Sequence, residues 1–255
     1  MKLLTISDGF GDSNIRPKWY SDFFKWPEII KLMTKEVELI NLSRYGAGNE
    51  YISQCLKNNI HNKDAVLIQW AVPNRLDLVL GENCDFWQQQ IDQDPVYNNN
   101  ILKLNNDSYW LSSGSQNLNV NAYHSKYISP RQHQLRSQLF VDYAKLLCEA
   151  HNVEHGFLLT EDSNYLEDTV KDTSIWCWHD LFKGMHSFRF VSEYADLDSE
   201  LNLIQPISLV QFEFVKKFIV PKFDFPWRAA REIDAVENML YRKYKEAAAK
   251  KDDSL

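Results

Sequence analysis

The chain has no cysteine pair at metal-binding or redox spacing. Cys55, Cys84, Cys148 and Cys177 stand far apart, which argues against a zinc site or a disulfide framework and for reduced thiols in or near the core. It has no apolar run approaching the ~20 residues that cross a bilayer, so no membrane contact is expected. It also lacks a basic excess. Its 35 Asp and Glu outnumber its 28 Lys and Arg, for a formal net charge of −7, which speaks against a general binder of nucleic-acid backbones. The amino terminus opens on the strand-like KLLTIS without the apolar stretch and cleavage site of a signal peptide, so the expected location is the cytoplasm. Neither a cofactor nor a metal is expected.

The chain does have material for a core. Over 255 residues, 44% are hydrophobic and 13% aromatic, enough for one large α/β domain or two small ones. Short apolar runs alternate with segments of helical period, the pattern of a parallel, doubly wound sheet. Strands are expected at 2–7, 36–43, 64–70, 155–160 and 187–192. The third, AVLIQW, is apolar almost throughout, as a strand covered on both faces should be.

Helices are expected between the strands. One starts at Trp26-Pro27-Glu28, because Pro at the first helical position loses no hydrogen bond, and turns Ile29, Ile30 and Met33 inward. A second starts near Asn49 and aligns Ile52, Cys55, Leu56 and Ile60. A third, over 130–150, sets Leu135, Leu139, Tyr143, Leu146 and Ala150 on one stripe, read as its core face. A fourth starts at Ser208, where Ser208-x-x-Gln211 reads as a capping box, and carries Phe212, Val215 and Ile219. The domain therefore spans 1–225. It includes an Asn- and aromatic-rich insertion of loops and short strands at 83–128, suited to covering the domain or to stacking on a sugar. Residues 226–255 form an added amphipathic helix and tail, with Ile233, Val236, Leu240 and Tyr244 on one stripe; it packs on the domain or docks a protein partner.

Ligands of an open parallel sheet bind beyond the carboxyl ends of the strands. Four loops should meet there: 8–14, 44–49, 71–77 and 202–208. They supply Asp8, Gly9, Asp12, Ser13, Gly46, Gly48, Asn49, Asn74, Arg75, Asp77, Asn202, Gln205 and Ser208. Gly46 and Gly48 either permit a tight turn or bring backbone N–H groups close to a ligand. Asn49 reads first as a helix N-cap. Arg75 reads either as an anchor for an acidic ligand or as half of a surface ion pair with Asp77. His124, His133, His151 and His155 lack ligand spacing and read as surface or edge residues. The cluster Glu161, Asp162, Glu167 and Asp168 reads as a solvated loop.

At these four loops the chain resembles the SGNH/GDSL hydrolase superfamily, and within it the small versions common in bacteriophages. The resemblance implies a five-stranded parallel sheet of flavodoxin-like order with flanking helices. The family's Gly-Asp-Ser follows strand one. Its second motif, a Gly after an Asn-rich turn, is matched by Asn41-Leu-Ser-Arg-Tyr-Gly46. Its third, an Asn-bearing loop, is loosely matched by 71–75, with Asn74 near the oxyanion position. Its last, Asp-x-x-His before the final helix, falls on Asn202-Leu-Ile-Gln205-Pro206. The resemblance covers about residues 1–80 and 131–223, and is strongest in INLSRYGAGNEYI and VLIQWAVPNR.

Aligned flush with strand one, the family's Gly-Asp-Ser falls on Ser7-Asp8-Gly9. Gly9 then occupies the nucleophile position with no side chain, and Asn202 and Gln205 stand where the carboxylate and imidazole belong. An amide is no general base near neutral pH. Three linked replacements agree on a lost triad, which leaves a binding or assembly protein, possible ligands being a carbohydrate or an acyl ester. The resemblance also implies incorporation into a phage particle. A rival alignment uses Gly11-Asp12-Ser13, with Ser13 as nucleophile of an active esterase or carbohydrate deacylase and His179 or His186 as its base. A third reading is a carbohydrate-binding module.

Overall fold

The computed structural model describes residues 1–8, 11–12, 24–44, 46–71, 77–80, 101–104, 107–111, 129–159, 175–177, 195–198, 203–206 and 208–252. In chain order the strands are β1 (Lys2–Ser7), β2 (Glu38–Asn41), β3 (Ala65–Trp70), β4 (Asp77–Leu80), β5 (Ile101–Leu104), β6 (Asp107–Leu111), β7 (Glu154–Leu159), β8 (Ile175–Cys177), β9 (Ala195–Asp198) and β10 (Leu203–Pro206). The helices are α1 (Trp26–Met33), α2 (Asn49–Asn59), α3 (Pro130–Ala150), α4 (Ser208–Phe214) and α5 (Ala230–Asp252).

Five strands make one parallel sheet in the order β2-β1-β3-β7-β8. This is the doubly wound, flavodoxin-like α/β class expected from the sequence. Alternation along the strands separates two cores. Leu3, Ala65, Leu67 and Leu158 join Trp26, Ile30, Phe212 and Leu240 on the face covered by α1, α4 and α5. Leu4, Ile6, Val66, Ile68 and Phe157 join Ile52, Leu56, Val141 and Cys148 on the face covered by α2 and α3. Burial on both sides explains why AVLIQW reads as one apolar run. The thiols of Cys55 and Cys148 are free and buried, and burial pushes them up to about 11 and about 12.

Several boundaries and faces depart from expectation. The strand expected at 187–192 lies outside the described residues; the sheet's fifth strand is Ile175–Cys177. Within the region read as an insertion, β4, β6 and β5 form a separate antiparallel sheet that starts earlier than expected, at Asp77. The third helix has the expected span and the opposite orientation. Leu135, Leu139, Tyr143 and Leu146 are exposed, and His133, Ser137, Val141, Ala144 and Cys148 are buried instead. The two stripes have the same spacing. Smaller side chains face inward, where α3 lies against α2 and the Ser137 hydroxyl accepts a hydrogen bond from Asn49 (3.0 Å). The stripe of α5 lies on the domain's own core, with Leu240 fully buried and Ile233, Val236 and Tyr244 partly so. Among the described residues no helix is long and apolar enough to cross a membrane.

Candidate functional site

The chain leaves β1 for one edge of the sheet and returns through β3 toward the other. The crevice beyond their carboxyl ends is therefore the switch point of the fold. Ser7 and Gln69 are register partners there. Both are polar residues on the α1/α4 side, and both are buried. Asp8, also buried, accepts from Gln69 Nε2 at 3.1 Å. Gln69 Oε1 accepts from the indole N–H of Trp26 at 2.9 Å. The Trp26 backbone N–H in turn donates to Gln211 Oε1 at 2.6 Å, and that of Phe24 to Ser208 Oγ at 2.7 Å. Buried polar groups need such partners, and the result is a polar chain from the end of β1 to the start of α4. Ser208 and Gln211, expected as a capping box, turn their oxygens to the residues that lead into α1. Lys25, beside Trp26, is wholly buried.

The turn after β1 is packed tightly on β2. Gly11 N–H donates to Asp8 O (3.2 Å), and Asn41 Nδ2 donates to Gly11 O (2.9 Å). Asn41 Oδ1 accepts from Ser43 N (3.1 Å) and Thr5 Oγ1 (3.2 Å). A Cβ on Gly11 would lie 2.1 Å from Ser7 Oγ and 2.7 Å from Ser43 Oγ, so Gly11 serves close approach. Asp12 is buried beside it. Ser43 Oγ is buried with no hydrogen-bond partner among the described residues. Gly9 and Ser13, the two rival nucleophile positions, lie outside the described residues.

Gly46 has φ 85°, a left-handed conformation that favours glycine and turns the chain into α2. Gly48 is the N-cap of α2, displacing Asn49 from that role, and it has no side chain with which to cap. Asp77 does so from β4: Oδ1 accepts from Gly48 N (2.8 Å) and Oδ2 from Tyr51 N (2.7 Å). Only glycine fits, since a Cβ at 48 would sit 2.8 Å from Asp77 Oδ2. Asp77 is therefore a buried cap, 2% exposed, rather than half of a surface ion pair. The Gly48 N–H that was expected to face a ligand is taken. Burial raises the Asp77 carboxyl to about 7, against the opposing effect of those two N–H donors.

Asn49 is also committed. Its Oδ1 accepts from Ala71 N (2.8 Å), and its Nδ2 donates to Ala71 O (3.1 Å) and Ser137 Oγ, tying α2 and α3 to the end of β3. Glu50 meets Arg136 in an ion pair. Burial, with the Cys55 thiol one turn away, raises the Tyr51 hydroxyl, while the Arg44 guanidinium opposes that shift.

The structure thus brings Asp8, Gly46, Gly48 and Asn49 of the expected pocket to the carboxyl ends of β1, β2 and β3. Asn74, Arg75 and Asn202 lie outside the described residues. Gln205 lies in β10, paired antiparallel with Asp196 of β9 rather than in an open turn. Among the described histidines, His61, His151 and His155 lie at the opposite, amino-terminal end of the sheet. His133, expected at the surface, is buried near the start of α3, one turn before Ser137. His124, His179 and His186 lie outside the described residues. Gln69, Lys25 and Ser137 were not singled out by sequence. Only Gln69, a lone amide inside an apolar strand, left a visible signal.

No protein-family model and no curated protein match the chain. Among solved structures it is similar to two catalytic mutants of Axe2, an acetylxylan esterase from Geobacillus stearothermophilus. One is 12% identical with a TM-score of 0.46, over 89% of this chain and 96% of that one. The other is 11% identical with a TM-score of 0.47, over 90% and 96%.

Proposed function

We propose that this is an SGNH-hydrolase-like protein that has lost catalysis and works by binding or assembly. The observation that carries the reading is the end of β1. The strand delivers Asp8 to the switch point, where its carboxylate is held by Gln69, and the next residue, at the nucleophile position, is Gly9. Without a side-chain oxygen there, no acyl-enzyme forms at that position. Asn202 and Gln205 support the same reading, since neither amide accepts a proton as a base. The ligand class that suits the crevice is a carbohydrate or an acyl ester held without turnover. Assembly into a phage particle follows from the resemblance to small phage versions of the family. Initial-rate hydrolysis of a short acyl ester tests the loss of catalysis. The expected rate equals that of buffer with an unfolded control, and turnover abolished by Ser13→Ala overturns the proposal.

The active-esterase reading has one observation in its favour. Gly11 is clamped against Ser7, and Asp12 is buried, so the first two residues of Gly11-Asp12-Ser13 are packed close to the carboxyl end of β1. Its test is the same variant.

A further inference from the structure

Helices α2 and α3 stop at the same dipeptide, His61-Asn62 after α2 and His151-Asn152 after α3. In each turn the Asn takes a left-handed backbone, with φ 59° and 52°, which leads the chain off the helix. The turns then enter β3 and β7, neighbouring parallel strands with Ala65 and Glu154 in register. Above them α2 and α3 share one core, through Ile52, Leu56, Val141 and Cys148. Two histidines far apart in the sequence are thereby brought together. The imidazoles of His61 and His151 meet edge to face, with ring centres 4.8 Å apart.

Both rings are exposed, and among the described residues no group hydrogen-bonds to their ring nitrogens. His155 is the contrast, with Nδ1 against Val153 O at 3.2 Å. Lys63 Nζ donates to the His61 carbonyl oxygen (3.2 Å), a backbone group that leaves the ring free. The backbones of the pair are fixed: His151 N donates to Leu147 O (3.1 Å), and Lys63 N to Ile60 O (3.3 Å). Exposed side chains change rotamer within nanoseconds, so both rings can aim a nitrogen at one point. Two imidazoles sharing one ion at the ~2.0–2.1 Å of a zinc–nitrogen bond have ring centres roughly 5 Å apart. That is the separation found. The last carbonyls of two helices also end here, and their partial negative charge favours a cation.

We infer that His61 and His151 form a binding site for a divalent transition-metal ion of the zinc, nickel or copper class, with water filling its other positions. Imidazole suits those ions, whereas magnesium and calcium take oxygen ligands. An ion held there clamps the ends of α2 and α3. Two protein ligands, rather than the three or four of catalytic and structural sites, make it a weak and exchangeable one.

Calorimetric titration of zinc chloride into the full chain, stripped of metal and free of any affinity tag, tests this. The expected result is one ion per chain at micromolar affinity. His61→Ala and His151→Ala each weaken binding at least about tenfold, and His155→Ala leaves it unchanged. Both substituted side chains are exposed, so the core stays intact. Zinc also raises the melting temperature of the wild type, because a ligand of the folded state stabilises it. That rise disappears in either variant, and magnesium does not produce it. No binding at millimolar zinc overturns the inference. So does binding that survives either substitution, which marks an adventitious ion only, or a melting rise that magnesium reproduces.

Discussion

Gln69 Nε2 donates to Asp8 Oδ1 across 3.1 Å and so joins the carboxyl ends of β3 and β1 at the switch point. Gln69 is fully buried, and its other amide atom accepts from the Trp26 indole. Gln69→Leu keeps the volume and removes a partner from both groups, so it should destabilise the fold by about 2 kcal/mol or more. Gln69→Glu keeps an acceptor for Trp26 but sets carboxylate against carboxylate, and its deficit should shrink in acid. Urea unfolding of the two variants at neutral and acid pH measures both effects.

Asp77 gives stability a pH slope of defined sign. Its folded-state value of about 7 lies above the ~3.9 of an unfolded Asp. Between these values the folded chain holds a proton that the unfolded chain has released. The contribution is therefore fully present below about pH 4 and is lost as the pH rises through 7. Urea midpoints taken from pH 4 to 8 should fall on this account, and Asp77→Asn should flatten that part of the profile.

Gly11 and Ser7 should be coupled. A Cβ at 11 would stand 2.1 Å from the Ser7 hydroxyl oxygen, so Gly11→Ala should cost about 1–3 kcal/mol. Ser7→Ala in the same chain should recover part of that loss. A double-mutant cycle should give a coupling of at least about 0.5 kcal/mol, and strict additivity would show that the two groups do not meet.

The orientation of α3 can be read from two alanine variants. Leu139 points outward, so Leu139→Ala should stay within about 0.5 kcal/mol of wild type in dilute protein. Leu56 is fully buried between α2 and the sheet, so Leu56→Ala should cost about 2–5 kcal/mol.

Much of the fold was legible because both faces of the sheet are covered. The first strand was read with its observed span, and Ile29, Ile30, Met33, Ile52, Cys55 and Leu56 face inward as their spacing implies. Helix α3 was misread because two stripes share one periodicity, and the larger side chains, which the pattern favours, are the exposed ones. Asp77 was misread because its partners, Gly48 and Tyr51, lie almost thirty residues earlier in the chain. A glycine that cannot cap its own helix was the available hint. The site was legible as a place, the carboxyl ends of β1 and β3, more than as contacts, because amides such as Asn49 and Gln69 choose partners that only the folded chain brings near.

The central claim is that no serine of this chain acts as an activated nucleophile. Intact-mass measurement after exposure to a serine-reactive fluorophosphonate tests it most directly. The account predicts an unshifted mass under conditions that fully label an active serine esterase. A stoichiometric adduct on the wild type that disappears in Ser13→Ala would contradict it.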